Sequence, residues 1–385
     1  MRIPLSAPDI VESDIEAVVE VLRTPRISLG PKLEEFEGCF TRYIGVPHAV
    51  ALSSGTAGLH LGLLALGIGE GDEVILPSFT FIAAANAILH ARATPVFVDI
   101  DARTLNLDPE KVERAITPRT RAILAVHTFG IPADMATLLA IAHKHGLRVI
   151  EDACEAIGAE YGGQRVGGLG DLGVFAFYPN KPITTGEGGM VTTRDARIAA
   201  TIRALRNQGR RPEDGWLDHS LPGYNFRISE MNCALGIAQM RRIDEILERR
   251  RAAAMLYAEE LRRVPNVTLP LADIENGTVS WFVFVVRLEN RDEIARLLAE
   301  RGIGCGKYFA PLHRQPLFAR YVNSSDDFSV TEKASAQTLA LPFFTRITAE
   351  QIREVCRCGA DFSLQRRDSG LLRSTHSFGR DEESD

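Results

Sequence analysis

The amino-acid sequence predicts an α/β fold, with a mostly parallel sheet between helices in a large domain and a smaller C-terminal α+β domain after it. Two observations carry this. Short β-rich runs, apolar throughout, alternate with helical patterns along the first half of the chain. Strands with no polar face belong in parallel sheets covered by helices on both sides.

The elements follow in order. Segments 12–23 and 32–43 have helical spacing. "AVAL" at 49–52 is a strand, followed by an apolar, helix-favouring run from Thr56 to Leu66. "EVILP" at 73–77 precedes "FTFIAAANAILH", and "PVFVD" at 95–99 leads through Asp108-Pro109 into a helix. "AILAVH" at 122–127 precedes "MATLLAIAHKHG", and "RVIEDA" at 148–153 is the next strand. "VFAFY" and "GGMVTT" are two more. From Ile228 to Arg263 the pattern is mainly helical, ending near Pro265. A strand at 280–288, a helix at 292–301, a β-like "CGKYF" and a helix at 348–357 make the smaller unit. The expected division is a large domain over 1–250 and a small one over 251–361. The tail, 362–385, is polar and aperiodic, a composition that predicts disorder.

Composition narrows the function. A formal charge of −6 argues against a general nucleic-acid binder, which is usually basic. The Arg-rich stretches at 209–211 and 249–251 stand beside acids and read as solvated helix faces. Cysteines at 39, 154, 233, 305, 356 and 358 show no zinc-ligand spacing and suit a reducing cytoplasm. The N-terminal stretch has no signal-like apolar run, and the most apolar segment, 74–89, is too short and mixed to span a bilayer. A soluble cytoplasmic protein is expected, with no membrane contact and no metal site.

Several motifs fail on context. "GGLGDLG" has dinucleotide-type glycine spacing at Gly168, Gly170 and Gly173, but it precedes a strand where that fingerprint must follow one. Gly306-Lys307 is followed by Tyr308, so it is no phosphate loop. Ser53 and Ser54 lack the nucleophile-elbow frame. His143 and His145 are two apart on a helix and point to different sides.

Three pieces in chain order fit one chemistry. "SSGTAGLH" at 53–60 is a small-residue turn between strand and helix, where free N–H groups and hydroxyls suit a phosphate. Alone it is more often an ordinary helix cap. Asp152 stands at the carboxyl end of an apolar strand, where open α/β sheets place their ligands. It could pair with a protonated ring nitrogen, or simply cap a helix. Lys181, in "FAFYPNKPITTGEGG", would alone be a solvated lysine on a surface turn. Together, a phosphate cradle, an acid and a Schiff-base lysine are the requirements of pyridoxal 5'-phosphate (PLP).

The blocks "SSGTAGLHLGLLALGIGEGDEVILPSFTFIAAANAI", "VIEDACEAIGAEYGG", "FAFYPNKPITTGEGGMVTT", "GYNFRISEMNCALGIAQ" and "YFAPLH" resemble the DegT/DnrJ/StrS family of PLP-dependent sugar aminotransferases, of the fold-type I class. The resemblance runs from about Pro4 to about Arg357. It implies Lys181 as Schiff-base lysine and proton shuttle, and Asp152 as partner of the pyridine nitrogen. Gly55 and Thr56 would cradle the phosphate and Phe81 would stack on the ring, although Phe81 also reads as a core aromatic. Asn225 would reach the cofactor phosphate of a neighbouring subunit in a homodimer. Arg227, Tyr308 and His313 would line the sugar side, His313 being equally readable as a structural histidine.

Three positions depart from the family. Glu155 stands where relatives carry Gln or His beside the cofactor's phenolic oxygen, so it must be protonated or turned away. Ala176 replaces a phosphate-binding Ser, and Pro182 directly follows the lysine. The implied reaction moves an amino group from an amino acid, by family analogy L-glutamate, to a nucleotide-diphosphate keto-deoxysugar, for polysaccharide or a glycosylated metabolite. Lysine at 181 disfavours the related dehydratases, which carry histidine. The alternatives are amination of a keto-cyclitol, another PLP reaction, and a non-catalytic binding protein on the same fold.

Overall fold

The computed structural model describes residues 2–358, apart from 212, 216, 324 and 325. The tail at 362–385 lies outside the described residues. Helices α1 (Glu12–Leu22) and α2 (Pro31–Ile44) lead into the strands β1 (His48–Leu52), β2 (Glu73–Pro77), β3 (Thr94–Val98), β4 (Thr120–Val126) and β5 (Arg148–Asp152). Between them lie α3 (Gly55–Ala65), α4 (Ala83–His90), α5 (Pro109–Arg114) and α6 (Met135–His145). A short hairpin, β6 (Glu160–Tyr161) and β7 (Gln164–Arg165), precedes β8 (Leu172–Ala176) and β9 (Gly189–Thr193).

The seven long strands form one sheet in the order β1-β9-β8-β5-β4-β2-β3. Only β9 runs against its neighbours. Both faces are buried, as the unbroken apolar strands require. Val174 of β8 packs with α3, α4 and α7 (Ala196–Arg206), while Phe175 beside it faces α2 and α8 (Glu230–Met240). On that second face Phe36, Phe40, Phe175 and Phe177 meet at angled ring contacts of 5.4–5.5 Å. Each such pair contributes about 0.5–1.5 kcal/mol beyond its buried area.

The C-terminal part has its own apolar cluster. It is built on α9 (Ile243–Leu261), β10 (Val267–Thr268), β12 (Phe284–Leu288), α10 (Arg291–Glu300), β13 (Thr338–Leu341) and the helical residues 349–358. β10, β12 and β13 form a three-stranded sheet, α11 (Ser329–Gln337) precedes β13, and β11 (Gly277–Thr278) joins the β6–β7 hairpin.

Two expectations are corrected, and one helix is new. The helical run 228–263 is two helices, because the chain breaks at Arg241 and Arg242. The Arg242 guanidinium leaves the axis to meet Asp9 and Asp14. "CGKYF" is not a strand: Gly306 makes one isolated bridge to Ala340, and the paired strand is β13. Helix α7 was not anticipated; its Arg203 and Arg206 turn inward to Glu37 and the carbonyls of Ala49 and Ala51.

The glycine-rich "GGLGDLG" segment has a structural role. The N–H groups of Gly167, Leu169 and Gly170 donate to the buried carboxylate of Glu151 at 2.7–2.8 Å. His127 accepts the Ala133 N–H on Nδ1 and so presents Nε2–H to the same carboxylate, 3.1 Å away. The loop binds an anion, but the anion is the protein's own side chain, one residue before Asp152.

Candidate active site

Lys181 is set by local rules. Its N–H donates to the Tyr178 carbonyl at 2.9 Å, closing a turn with Pro179 in the position where a fixed φ is favourable. Beyond it the chain folds back. Phe177 N–H donates to Gly188 and Thr185 N–H to Phe177, extending the β8–β9 pairing through Gly186 at φ +79°. The Asn232 amide of α8 pins the carbonyls of Thr185 and Glu187. The Lys181 side chain is thereby only 13% exposed, with Nζ 3.8 Å from Glu155 Oε1 and 3.9 Å from the Phe282 ring centroid.

Opposite the sheet's carboxyl edge, α3 starts at Gly55. Ser54 caps it by accepting the Ala57 N–H at 3.1 Å, leaving the N–H groups of Gly55 and Thr56 without helical partners. The packing here leaves no room for a side chain. A Cβ on Gly55 would lie 2.8 Å from the Ala176 Cβ and 2.9 Å from the Cys154 Sγ. One on Gly189 would lie 2.4 Å from the Ser54 carbonyl.

Asp152 ends β5, buried, with Oδ1 accepting the Cys154 N–H at 3.1 Å. Glu155 is also buried; its Oε2 accepts the Phe129 N–H at 3.0 Å. Burial pushes the Glu155 carboxyl up, while the Lys181 charge and the Phe129 N–H pull it down. Burial and the Asp152 carboxylate push the Cys154 thiol well up, so it stays protonated.

These groups surround one cavity of about 430 Å³. Gly55, Thr56, Phe81, Asp152, Glu155, Lys181 and Tyr308 all line it. Phe81 is 61% exposed, so the core-aromatic reading fails. Tyr308 comes from the C-terminal part and stacks on Phe309; burial and the nearby Glu155 charge raise its phenol.

Three expected residues are elsewhere. His313 does not line the cavity: Nδ1 meets the Ser78 hydroxyl at 2.7 Å, Nε2 meets Glu332 at 3.2 Å, and the ring stacks on Phe328. With both nitrogens engaged it is a structural histidine. Arg227 is not among the lining residues either; it donates to the Asn207 side chain. Asn225 is exposed, bridged through its backbone to Asn207. Sequence reasoning missed Phe282, Tyr178 and Asn180, which do line the cavity. Of these Asn180 had a signal, as the turn residue before the lysine.

Comparison with known proteins shows the family. The model of the DegT/DnrJ/EryC1/StrS aminotransferase family matches residues 8–358. The chain belongs to that family. It is 42% identical to the GDP-perosamine synthase of Caulobacter vibrioides over 361 residues, covering 92% of this chain and 96% of that protein. It is 40% identical to a UDP-N-acetyl-3-dehydro-alpha-D-glucosamine 3-aminotransferase of Acidithiobacillus ferrooxidans, covering 89% and 91%. Among solved structures, DesV of S. venezuelae superposes with a TM-score of 0.87 at 38% identity, covering 91% of this chain and 94% of that one.

As an enzyme of the DegT/DnrJ/EryC1/StrS family it is a PLP-dependent aminotransferase. The cavity fits that cofactor. It offers an anion site at the α3 N-terminus, closed to any side chain at Gly55, an acid at its floor and an amine at its wall. Among the described residues the buried Asn180 Oδ1 has no protein hydrogen-bond partner, and Asn180 lines this cavity. Among the described residues no helix is long and apolar enough to cross a membrane, and no cluster suits a metal ion.

Proposed function

We propose that the enzyme transfers an amino group from an amino acid, L-glutamate, to a nucleotide-diphosphate keto-deoxysugar, on a route to polysaccharide or a glycosylated metabolite. The observation that carries this reading is the convergence of Lys181, Asp152 and the α3 N-terminus on one cavity. The printed activities of two relatives, a GDP-sugar synthase and a UDP-sugar 3-aminotransferase, support the nucleotide sugar as acceptor.

When bound, PLP supplies an electron sink that stabilises negative charge at the substrate carbon. Lys181 Nζ would hold it and would move the proton at the substrate's α-carbon. Asp152 would sit opposite the pyridine nitrogen and favour its protonated form. The N–H groups of Gly55 and Thr56 bind the phosphate with the positive end of α3 behind them; Ala176 leaves that cradle without one hydroxyl. Phe81 would cover the ring face, and Tyr308 would border the sugar side.

The site is shared in a homodimer. Asn225, exposed and outside its own cavity, serves the neighbour's phosphate, and Arg227 follows it toward the same side. Helix α1 supports an apolar contact between subunits. Ile15, Val19 and Leu22 stand exposed along one stripe, continued by Ile27 and Leu29.

The test is visible absorbance on adding PLP. A Schiff-base band that Lys181→Ala abolishes and L-glutamate discharges supports the reading; no band at saturating PLP sinks it. Incubation with glutamate and a panel of nucleotide keto sugars, followed by mass, identifies the acceptor.

A further inference from the structure

Arg250, on α9, is almost wholly buried, and among the described residues no carboxylate lies within ion-pair distance of it. A buried cation is costly unless its donors are met. Desolvation pulls this guanidinium down to about 9. Its hydrogen-bond partners are neutral, and two of the three are consecutive carbonyls at one point of the chain. Nε donates to the Trp281 carbonyl at 3.0 Å, Nη2 to the Phe282 carbonyl at 2.7 Å, and Nη1 to the Thr345 hydroxyl at 3.1 Å.

That point is a kink. Trp281 has φ +54°, a left-handed backbone that bulky side chains rarely adopt. The two Arg250 bonds hold the two carbonyls that follow the kink, just before β12. The residue after it, Phe282, brings its ring to 3.9 Å from Lys181 Nζ.

We propose that Arg250 is a positioning residue: by clamping the Trp281–Phe282 kink, it holds the Phe282 ring against the Lys181 amine before PLP arrives. The inference rests on Lys181 being the amine that carries the cofactor. A lysine side chain is long and flexible. An ammonium over an aromatic face is attracted to the ring's electron density, which fixes the end of that chain. Glu155 supplies the amine's other contact, at 3.8 Å. The catalytic lysine, from the large sheet, is thus held by a ring whose backbone is fixed through α9.

The experiment mixes cofactor-free protein with PLP and follows the rate of Schiff-base absorbance. Phe282→Leu keeps the bulk and loses the π-face, and is expected to slow capture about tenfold. Phe282→Tyr keeps the ring and restores the rate to within about twofold. Arg250→Lys, a point charge that cannot span two carbonyls, slows capture as well. The double variant Phe282→Leu with Arg250→Lys is no slower than its slower single, because both act through one contact. Should Arg250→Lys fail to fold, Thr345→Val takes its place in the cycle. Unchanged capture in Phe282→Leu overturns the proposal, and so does additive slowing in the double variant. Absence of any band in the unsubstituted protein, with Lys181→Ala as control, overturns the functional reading instead.

Discussion

One oxygen of Glu155 lies 3.8 Å from the Lys181 amine while the other accepts the Phe129 N–H at 3.0 Å. The carboxyl is therefore turned toward the lysine and not away from it. Phe129 reaches it from a left-handed backbone, φ +59°, followed by Gly130 packed against Ser280 and Trp281. Turning away is thus excluded, and burial biases the carboxyl toward its protonated form against the pull of Lys181 and the Phe129 N–H.

Glu155→Gln tests that reading through stability. Burial holds the carboxyl above its ordinary 4.5 against the opposing pull of Lys181. A carboxyl raised in this way stabilises the fold while protonated. The contribution is full below the unfolded value and is lost as pH rises through the folded one. Glutamine copies the protonated form at every pH. In thermal melts of cofactor-free protein the two should coincide near pH 4.5, the variant melting progressively higher toward pH 8. A wild type that is the more stable protein at pH 8 would contradict the direction of the shift.

Gly55→Ala separates cofactor binding from folding. The added methyl meets the Ala176 Cβ at 2.8 Å and the Cys154 Sγ at 2.9 Å, so the first turn of α3 must move away from β8. Overpacking of this kind costs about 1–3 kcal/mol. Urea unfolding should show that loss, and a PLP titration by absorbance should show a weaker complex. Unaltered PLP affinity would mean that the phosphate does not sit on this turn.

Much of this was legible because local chemistry decides it. The order of strands and helices in the large sheet follows from runs apolar on both faces, and Lys181 stands out once Asp152 and the Ser-Gly-Thr turn are read beside it. What was hidden depends on partners remote in sequence. Backbone N–H groups carry no residue signature, so nothing in "GGLGDLG" reveals that it binds Glu151. Phe282 reads as one more strand aromatic until the kink at Trp281 turns it to Lys181. His313 sat in a block shared with site residues, and only its bonds to Ser78 and Glu332 show that it faces away.

The Glu151 cradle should be essential to the fold. Glu151→Ala leaves the Gly167, Leu169 and Gly170 N–H groups and His127 Nε2–H without their acceptor in the interior. Each unmet buried donor costs about 1–3 kcal/mol. Even with partial relaxation, the loss in urea unfolding should exceed about 3 kcal/mol. A smaller effect would show that water reaches the loop.

Ser78→Ala probes how the Phe81 segment is held. Ser78 directly follows β2, three positions before Phe81. Its carbonyl accepts the Leu312 N–H at 2.9 Å, and its hydroxyl accepts the His313 N–H at 3.2 Å. The hydroxyl hydrogen is then free to donate to His313 Nδ1, which leaves Nε2–H for Glu332. Burial holds the His313 imidazole below its ordinary 6.5, against the pull of Glu332. A histidine lowered in this way stabilises the fold while neutral. Its contribution is complete above the unfolded value and disappears as pH falls through the folded one. Alanine removes the donor that favours the neutral ring, at a cost of about 1–3 kcal/mol. The deficit in urea unfolding should therefore be full at pH 8 and smaller at pH 5, with PLP binding weakened as the Phe81 segment loosens. An equal deficit at both pH values would mean that Ser78 does not donate to the ring, and that the segment is held by the Leu312 bond instead.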